Sequence, residues 1–138
     1  MLELNHIQKS FDGVPVLKDI NLTVGNGEIV SILGPSGCGK TTLLNLILGI
    51  TAPDDGSICY DGEDLTHTPM EKRGFNIVFQ DYALFPNLNV RQNITYGLKN
   101  RPDISSEKEV EELIRLLDLE AHLDKRIDQL SGGQKQRT

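Results

Sequence analysis

The 138-residue chain has only two cysteines, Cys38 and Cys59, and three histidines, His6, His67 and His122. Two isolated thiols build no disulfide framework, and neither they nor the histidines fall at metal-ligand spacings. The histidines are expected at the surface. No apolar run approaches the roughly 18 residues that a membrane-spanning helix needs. The opening residues, Met1-Leu2-Glu3-Leu4-Asn5, lack the basic and apolar regions of a signal peptide. Positive charge is scarce too, with 14 Lys and Arg against 20 Asp and Glu and a net charge of −6. That balance excludes a surface-wide footprint for nucleic acid. There is no internal repeat and no low-complexity tract. What remains is an ordinary globular composition, 38% hydrophobic and 25% charged, enough for one domain with a core.

One stretch organises the rest: Gly34-Pro35-Ser36-Gly37-Cys38-Gly39-Lys40-Thr41-Thr42. An apolar run, Ile29-Val30-Ser31-Ile32-Leu33, precedes it, and Leu43-Leu44-Asn45-Leu46-Ile47-Leu48 follows. Strand, glycine loop and helix is the order a phosphate-binding loop needs. Glycines let successive amides turn onto an anion, and the helix start adds its positive dipole end. Lys40 is expected to reach the β- and γ-phosphates, and the Thr41 hydroxyl to ligate Mg²⁺. The alternative is a plain Gly/Ser turn. Cys38 inside this loop suggests a reducing, cytoplasmic setting, and its thiol is an oxidation liability there.

Along the chain, residues 2–9 and 20–24 are expected as strands, with a short returning strand over 14–17 after the Asp12-Gly13 turn. Residues 28–33 lack alternation and are expected as a central parallel strand buried on both faces. A helix over 40–48 ends at Gly49. Residues 57–60 form a short strand, and Asp61-Gly62 turns the chain again. A helical turn starts near Thr68-Pro69. Residues 75–79 are the second buried strand, delivering Gln80 to the same rim as the phosphate loop. Tyr82, Leu84 and Phe85 follow in an irregular, exposed-looking segment, although burial in the helical part suits them equally. Asn89 and Gln92 cap a helix over 90–98. A polar linker covers 100–106. Ser106 and Glu109 cap an amphipathic helix over 107–117, with Val110, Leu113, Ile114 and Leu117 on one face. A short helical turn lies near 120–123.

Leu130-Ser131-Gly132-Gly133-Gln134 is a second glycine loop at a helix start, and hence a second potential anion cradle. Taken alone it is also ordinary loop chemistry. One triphosphate seldom needs two cradles from one molecule, so the second suits a nucleotide held by a neighbouring copy.

With all three stretches in view, the chain resembles the ATP-binding subunit of an ABC transporter. Residues 34–42 match the Walker A motif, and Val78-Phe79-Gln80-Asp81-Tyr82-Ala83-Leu84-Phe85-Pro86 matches the Q-loop. Residues 130–134 match the signature motif without substitution. The wording around residues 83–86 is most similar to importer ATPases for ferric iron, polyamines, phosphonates or sugars. The resemblance implies an α/β P-loop NTPase fold with an N-terminal antiparallel β subdomain and part of a helical subdomain. Residues 1–80 are assigned to the β subdomain and P-loop core, and 81–138 to the Q-loop and helical part. The C-terminal part of the core sheet is expected to be missing.

The implied ligands are ATP and Mg²⁺, with a role for each matching position. Phe11 would stack on adenine, although it serves equally well as hairpin core. Ser36, Gly37, Cys38, Gly39, Lys40, Thr41 and Thr42 would hold the phosphates, with Thr41 and Gln80 at the metal. Gln80 is the catalytic candidate, near the Mg²⁺ and the attacking water. Ser131, Gly132, Gly133 and Gln134 would close on ATP bound to a second copy or homologous subunit in a head-to-tail dimer. The loop over residues 80–88 would meet transmembrane permease subunits at the cytoplasmic face of the membrane. No nucleic acid is implied. The alternatives are a soluble ABC-type ATPase without a permease and a non-catalytic nucleotide-binding fragment. The family's Walker B strand, with its metal-linked Asp and water-activating Glu, has no counterpart in these 138 residues. Nucleotide binding with negligible turnover is therefore expected of the chain itself, together with association through exposed strand edges.

Overall fold

Two Asp-Gly pairs fold the first sheet. The computed structural model, which describes residues 1–99 and 101–138, places β1 (Leu2–Phe11) and β2 (Val14–Val24) around Asp12-Gly13. In the same way β3 (Asp55–Tyr60) and β4 (Glu63–Asp64) flank Asp61-Gly62. Both residues of each pair have positive φ, 49° and 76° in the first turn, 49° and 83° in the second. That is the type I′ pattern, whose twist matches the strands it joins. The sheet is antiparallel throughout, in the order β2-β1-β3-β4.

Leu4, Ile7, Leu17 and Ile58 point from this sheet onto Leu43 and Leu46 of α1 (Lys40–Leu48). Each fully buried aliphatic contributes about 1.5–3 kcal/mol relative to exposure. Alternation breaks once, since Leu4 and Ile7 are both buried although three residues apart. The β1–β2 register shifts between them, a bulge at Asn5-His6 with His6 at φ 54°. The bulge is held by the His6 amide, which donates to Asn21 Oδ1 at 2.8 Å, and by His6 Nδ1, 2.6 Å from Asp19 Oδ1. His6, then Asn21, keep the Asp19 carboxyl below its ordinary value.

The C-terminal end of α1 rests on a side chain that the sequence did not single out. Arg73 is 6% exposed and donates from Nη1 to the carbonyls of Leu46 (2.8 Å) and Ile47 (2.9 Å). Its Nε donates to Thr68 O at 2.6 Å and its Nη2 to Thr66 O at 3.1 Å. A buried cation at the negative end of a helix is favourable, and desolvation pushes its pKa down.

Two expected strands do not form. Residues 28–33 and 75–79 have no ladder partner among the described residues. Ile29 is 93% exposed, Leu33 90% and Val78 88%. A parallel strand needs neighbours for its N–H and C=O groups on both sides, and no other described segment supplies them. These runs keep the composition of buried strands and the exposure of coil. The expected open sheet edges are thus exposed apolar segments instead.

The described residues divide into two compact units, Met1–Ile77 and Val78–Thr138. The second contains α2 (Val90–Ile94), α3 (Glu107–Leu116) and α4 (Gly132–Arg137). Its core is Val90, Ile127 and Leu130, with Leu84, Ile94 and Leu123 packed around them. The helix expected over 90–98 stops at Ile94, where the Thr95 hydroxyl donates to Arg91 O at 2.9 Å, and a 3₁₀ turn at Gly97–Lys99 follows. The linker expected over 100–106 begins at Asn100, outside the described residues. Of the expected apolar face of α3, Ile114 is buried while Leu113 is 54% exposed.

The cap of α3 makes its first turn pH-sensitive. Glu109 Oε2 accepts from Ser106 N (2.7 Å), Ser106 Oγ (2.9 Å) and Ser105 Oγ (3.1 Å). The Ser106 amide, then the serine hydroxyls, hold this carboxyl below its ordinary value of 4.5. A depressed carboxyl contributes stability that is present above the unfolded value and lost as pH falls through the folded one. Amide exchange at Ser106 and Val110 should therefore accelerate below the usual carboxylate range. In Glu109→Gln the acid-side acceleration should disappear, and an unchanged pH profile in that variant refutes the assignment.

Candidate functional site

The capping of the helices separates α1 from the rest. At α2 Asn89 accepts from the Gln92 amide, and at α3 Ser106 accepts from the Glu109 amide. At α4 Ser131 accepts from the Gln134 amide, and in all three boxes the N3 side chain reciprocates. At α1 the N-cap is Gly39, and no side chain caps the helix. The first-turn amides of Lys40, Thr41 and Thr42 have no intrahelical carbonyl to bond. They form a row of donors at the positive end of the helix, the fit an anionic group requires.

Gly39 holds this arrangement against the sheet. Its φ is 94°, and a Cβ there would lie 2.8 Å from Leu17 Cδ2 and 3.2 Å from Val16 Cγ1 of β2. Lys40 sits at the centre of the loop, with Nζ donating to Gly34 O at 2.8 Å and Pro35 O at 2.7 Å. The Cys38 sulfur, exposed, lies 3.5 Å from the same nitrogen. Ser36 and Gly37 are exposed on the outer turn, Thr41 is exposed, and Thr42 is half-buried. The residues of the first glycine loop are therefore brought together, in a strand-free approach followed by the expected helix.

Phe11 ends β1 on the hairpin whose Val16 and Leu17 meet Gly39. It is 47% exposed, so its ring is not hairpin core. Lys9 Nζ stands 5.5 Å from the ring centroid and 2.7 Å from Asp54 Oδ1. Lys9, then the Ser10 amide, hold the Asp54 carboxyl below its ordinary value.

The second unit is described by itself. Gln80 is exposed in a turn, not at the end of a strand. Tyr82 and Ala83 have φ of 67° and 47°, left-handed values that side chains other than glycine seldom take. Tyr82 and Leu84 are half-buried and Phe85 is exposed, so of the two expected alternatives the first two residues follow burial. Leu84 packs into the core, and Phe85 stacks on Tyr96 with centroids 4.3 Å apart. Ser131, Gly132 and Gly133 are exposed, but their helix start is closed by its own capping box. The second loop thus differs from the first, since one of its amides is already bonded to Ser131 Oγ at 3.3 Å.

His122 also departs from expectation. It is half-buried, with Nε2 2.9 Å from Gln134 Nε2. No periodicity or spacing linked these two residues.

A family model described as "ABC transporter" matches residues 17–138. The chain belongs to the ABC transporter family. This ABC chain is 51% identical over 140 residues to the spermidine/putrescine import ATP-binding protein PotA of Spiroplasma citri. That match covers 99% of the chain and 40% of the relative. The protein of the same name from Haemophilus influenzae is 48% identical, covering 99% of the chain and 37% of the relative. The ABC chain therefore spans about two fifths of the length of these curated relatives. Both names fall within the importer group that the residue 83–86 wording resembles. Among solved structures, the dimeric post-hydrolysis state of the ATP-binding cassette MJ0796 bound to ADP and Pi superposes with a TM-score of 0.81. It is 33% identical, and the match covers 99% of this chain and 66% of that one. The P-loop ABC ATPase fold is thereby confirmed.

Proposed function

We propose that the chain is the ATP-binding portion of an ABC-type importer subunit, gripping ATP with Mg²⁺ in the loop over residues 34–42. The observation that carries this is the α1 N-terminus. It lacks a side-chain cap, and Lys40 lies over its glycine loop. The amides of residues 39–42 take the phosphate oxygens, Lys40 Nζ neutralises the β- and γ-phosphates, and Thr41 Oγ supplies one ligand to Mg²⁺. The metal adds charge neutralisation when bound. The exposed Phe11 ring offers a face for adenine.

Gln80, Ser131, Gly132, Gly133 and Gln134 keep the roles that the resemblance gives them, the last four toward ATP held by a second copy. The dimeric state of the MJ0796 cassette supports that pairing. Permease subunits are the proposed partners of the loop over 80–88, at the cytoplasmic face of the membrane. Among the described residues no helix is long and apolar enough to cross a membrane, which suits a subunit that docks on separate permeases. The names of the relatives make a polyamine the proposed cargo.

Titrating the chain with a fluorescent ATP analogue and Mg²⁺ tests the reading. Lys40→Ala should weaken binding about 10- to 100-fold, since charge-assisted hydrogen bonds contribute about 1.5–3 kcal/mol. Equal affinity of variant and wild type would sink the proposal. Phosphate release by the 138 residues alone should stay at background.

A further inference from the structure

The second glycine loop is held from behind by a side chain that none of the motifs includes. Within the capping box the Ser131 amide donates to Gln134 Oε1 at 2.9 Å. A backbone N–H can only donate, so the Gln134 amide is fixed with its oxygen toward Ser131 and its NH₂ away. That NH₂ points at His122 Nε2, 2.9 Å distant. The contact is a hydrogen bond only if Nε2 carries a lone pair, which places the ring proton on Nδ1. His122 Nδ1 is buried and meets no partner among the described residues. The other arrangements fail. A protonated Nε2 meets the NH₂ donor to donor, and flipping the amide turns the NH₂ onto the Ser131 N–H.

We propose that His122 is a positioning residue for the Ser131-Gly132-Gly133 loop, acting as a neutral Nδ1–H imidazole that orients Gln134. The neighbouring Leu119 and Leu123 hold the ring's segment, Leu119 accepting from the His122 amide at 2.9 Å and Leu123 packing into the core. Gln134 is thereby shared between two duties, closing the helix start on one side and answering to His122 on the other. The inference rests on the reading that this loop meets a nucleotide, and its test separates the two.

Nitrogen NMR of the ¹⁵N-histidine-labelled chain should show His122 as the Nδ1–H tautomer, opposite to the form that dominates free histidine. A dominant Nε2–H or doubly protonated ring overturns the inference without any variant. His122→Phe keeps volume and removes the acceptor, whereas His122→Gln returns an oxygen near the place of Nε2. Exchange of the Ser131 amide should rise about fivefold in His122→Phe, the scale of one hydrogen bond, and recover in His122→Gln. Equal exchange in wild type and His122→Phe overturns the positioning role. ATP-induced association, read by light scattering, should fall and recover in the same order. If exchange responds and association does not, positioning stands and the nucleotide role of the loop is what fails.

Discussion

Arg73→Met is expected to destabilise the Met1–Ile77 unit by about 3–4 kcal/mol, enough to unfold much of a marginally stable domain. Methionine keeps the stem and removes all four charge-assisted hydrogen bonds, those to Leu46, Ile47, Thr66 and Thr68. Such bonds contribute about 1.5–3 kcal/mol apiece but do not add when they share one group. The carbonyls of Leu46 and Ile47 close the last turn of α1 and lose the charge that faces the dipole, Leu46 O keeping only the Gly49 amide at 3.1 Å. Arg73→Lys should recover less than half, because one ammonium cannot span a fork of carbonyls on two segments. Urea denaturation of the three proteins measures this. Coincident midpoints for wild type and Arg73→Met exclude the role. Because the phosphate loop opens the same helix, nucleotide binding should fall in Arg73→Met in proportion to the unfolded fraction.

Gly56→Ala should cost about 3–5 kcal/mol, from two sources that a control can separate. Gly56 has φ 90°, a conformation that strains any residue with a Cβ. The added carbon would also lie 2.5 Å from Asn5 O and 2.6 Å from both His6 C and His6 O. These are backbone atoms of the β1 bulge and cannot rotate aside. Gly13 has a comparable φ of 76° with nothing within 4 Å of a Cβ. Gly13→Ala should therefore cost only the conformational part, about 1–2 kcal/mol. Equal losses for the two variants contradict the steric account. The β1 bulge, held by its His6–Asp19 contact, sits directly against Gly56 across the sheet.

What was legible in the sequence is what is written within about four residues. Asp12-Gly13 and Asp61-Gly62 specify their turns because both φ values are set locally. The boxes at Asn89 and Ser106 were readable because the N-cap and N3 side chains bond each other's amides three residues apart, whereas the box that closes the Ser131 loop was not expected. The glycine loop over residues 34–42 was readable as a loop that opens a helix for the same reason, since the two adjoin in the chain. Gly56 carries no comparable local signal, because the backbone it meets lies across the sheet, at Asn5 and His6. Nothing local singles out Arg73, since two of its acceptors, Leu46 O and Ile47 O, lie at the end of a helix much earlier in the chain. His122 looked exposed because nothing ties it to Gln134 except the fold. Residues 28–33 were misread in the opposite sense. An apolar run specifies burial only when another segment covers it.

The Lys40 contacts bear on how a ligand would enter the loop. The ammonium already bonds two carbonyls of the loop it closes, so its long stem is ordered before any phosphate arrives. Binding there exchanges acceptors around a cation whose rotamers the fold has already selected. The entropy of immobilising a lysine, about 1.5–2 kcal/mol on folding scales, is charged to the folding of the loop and not to the affinity. For the proposed triphosphate ligand, the loop is preorganised.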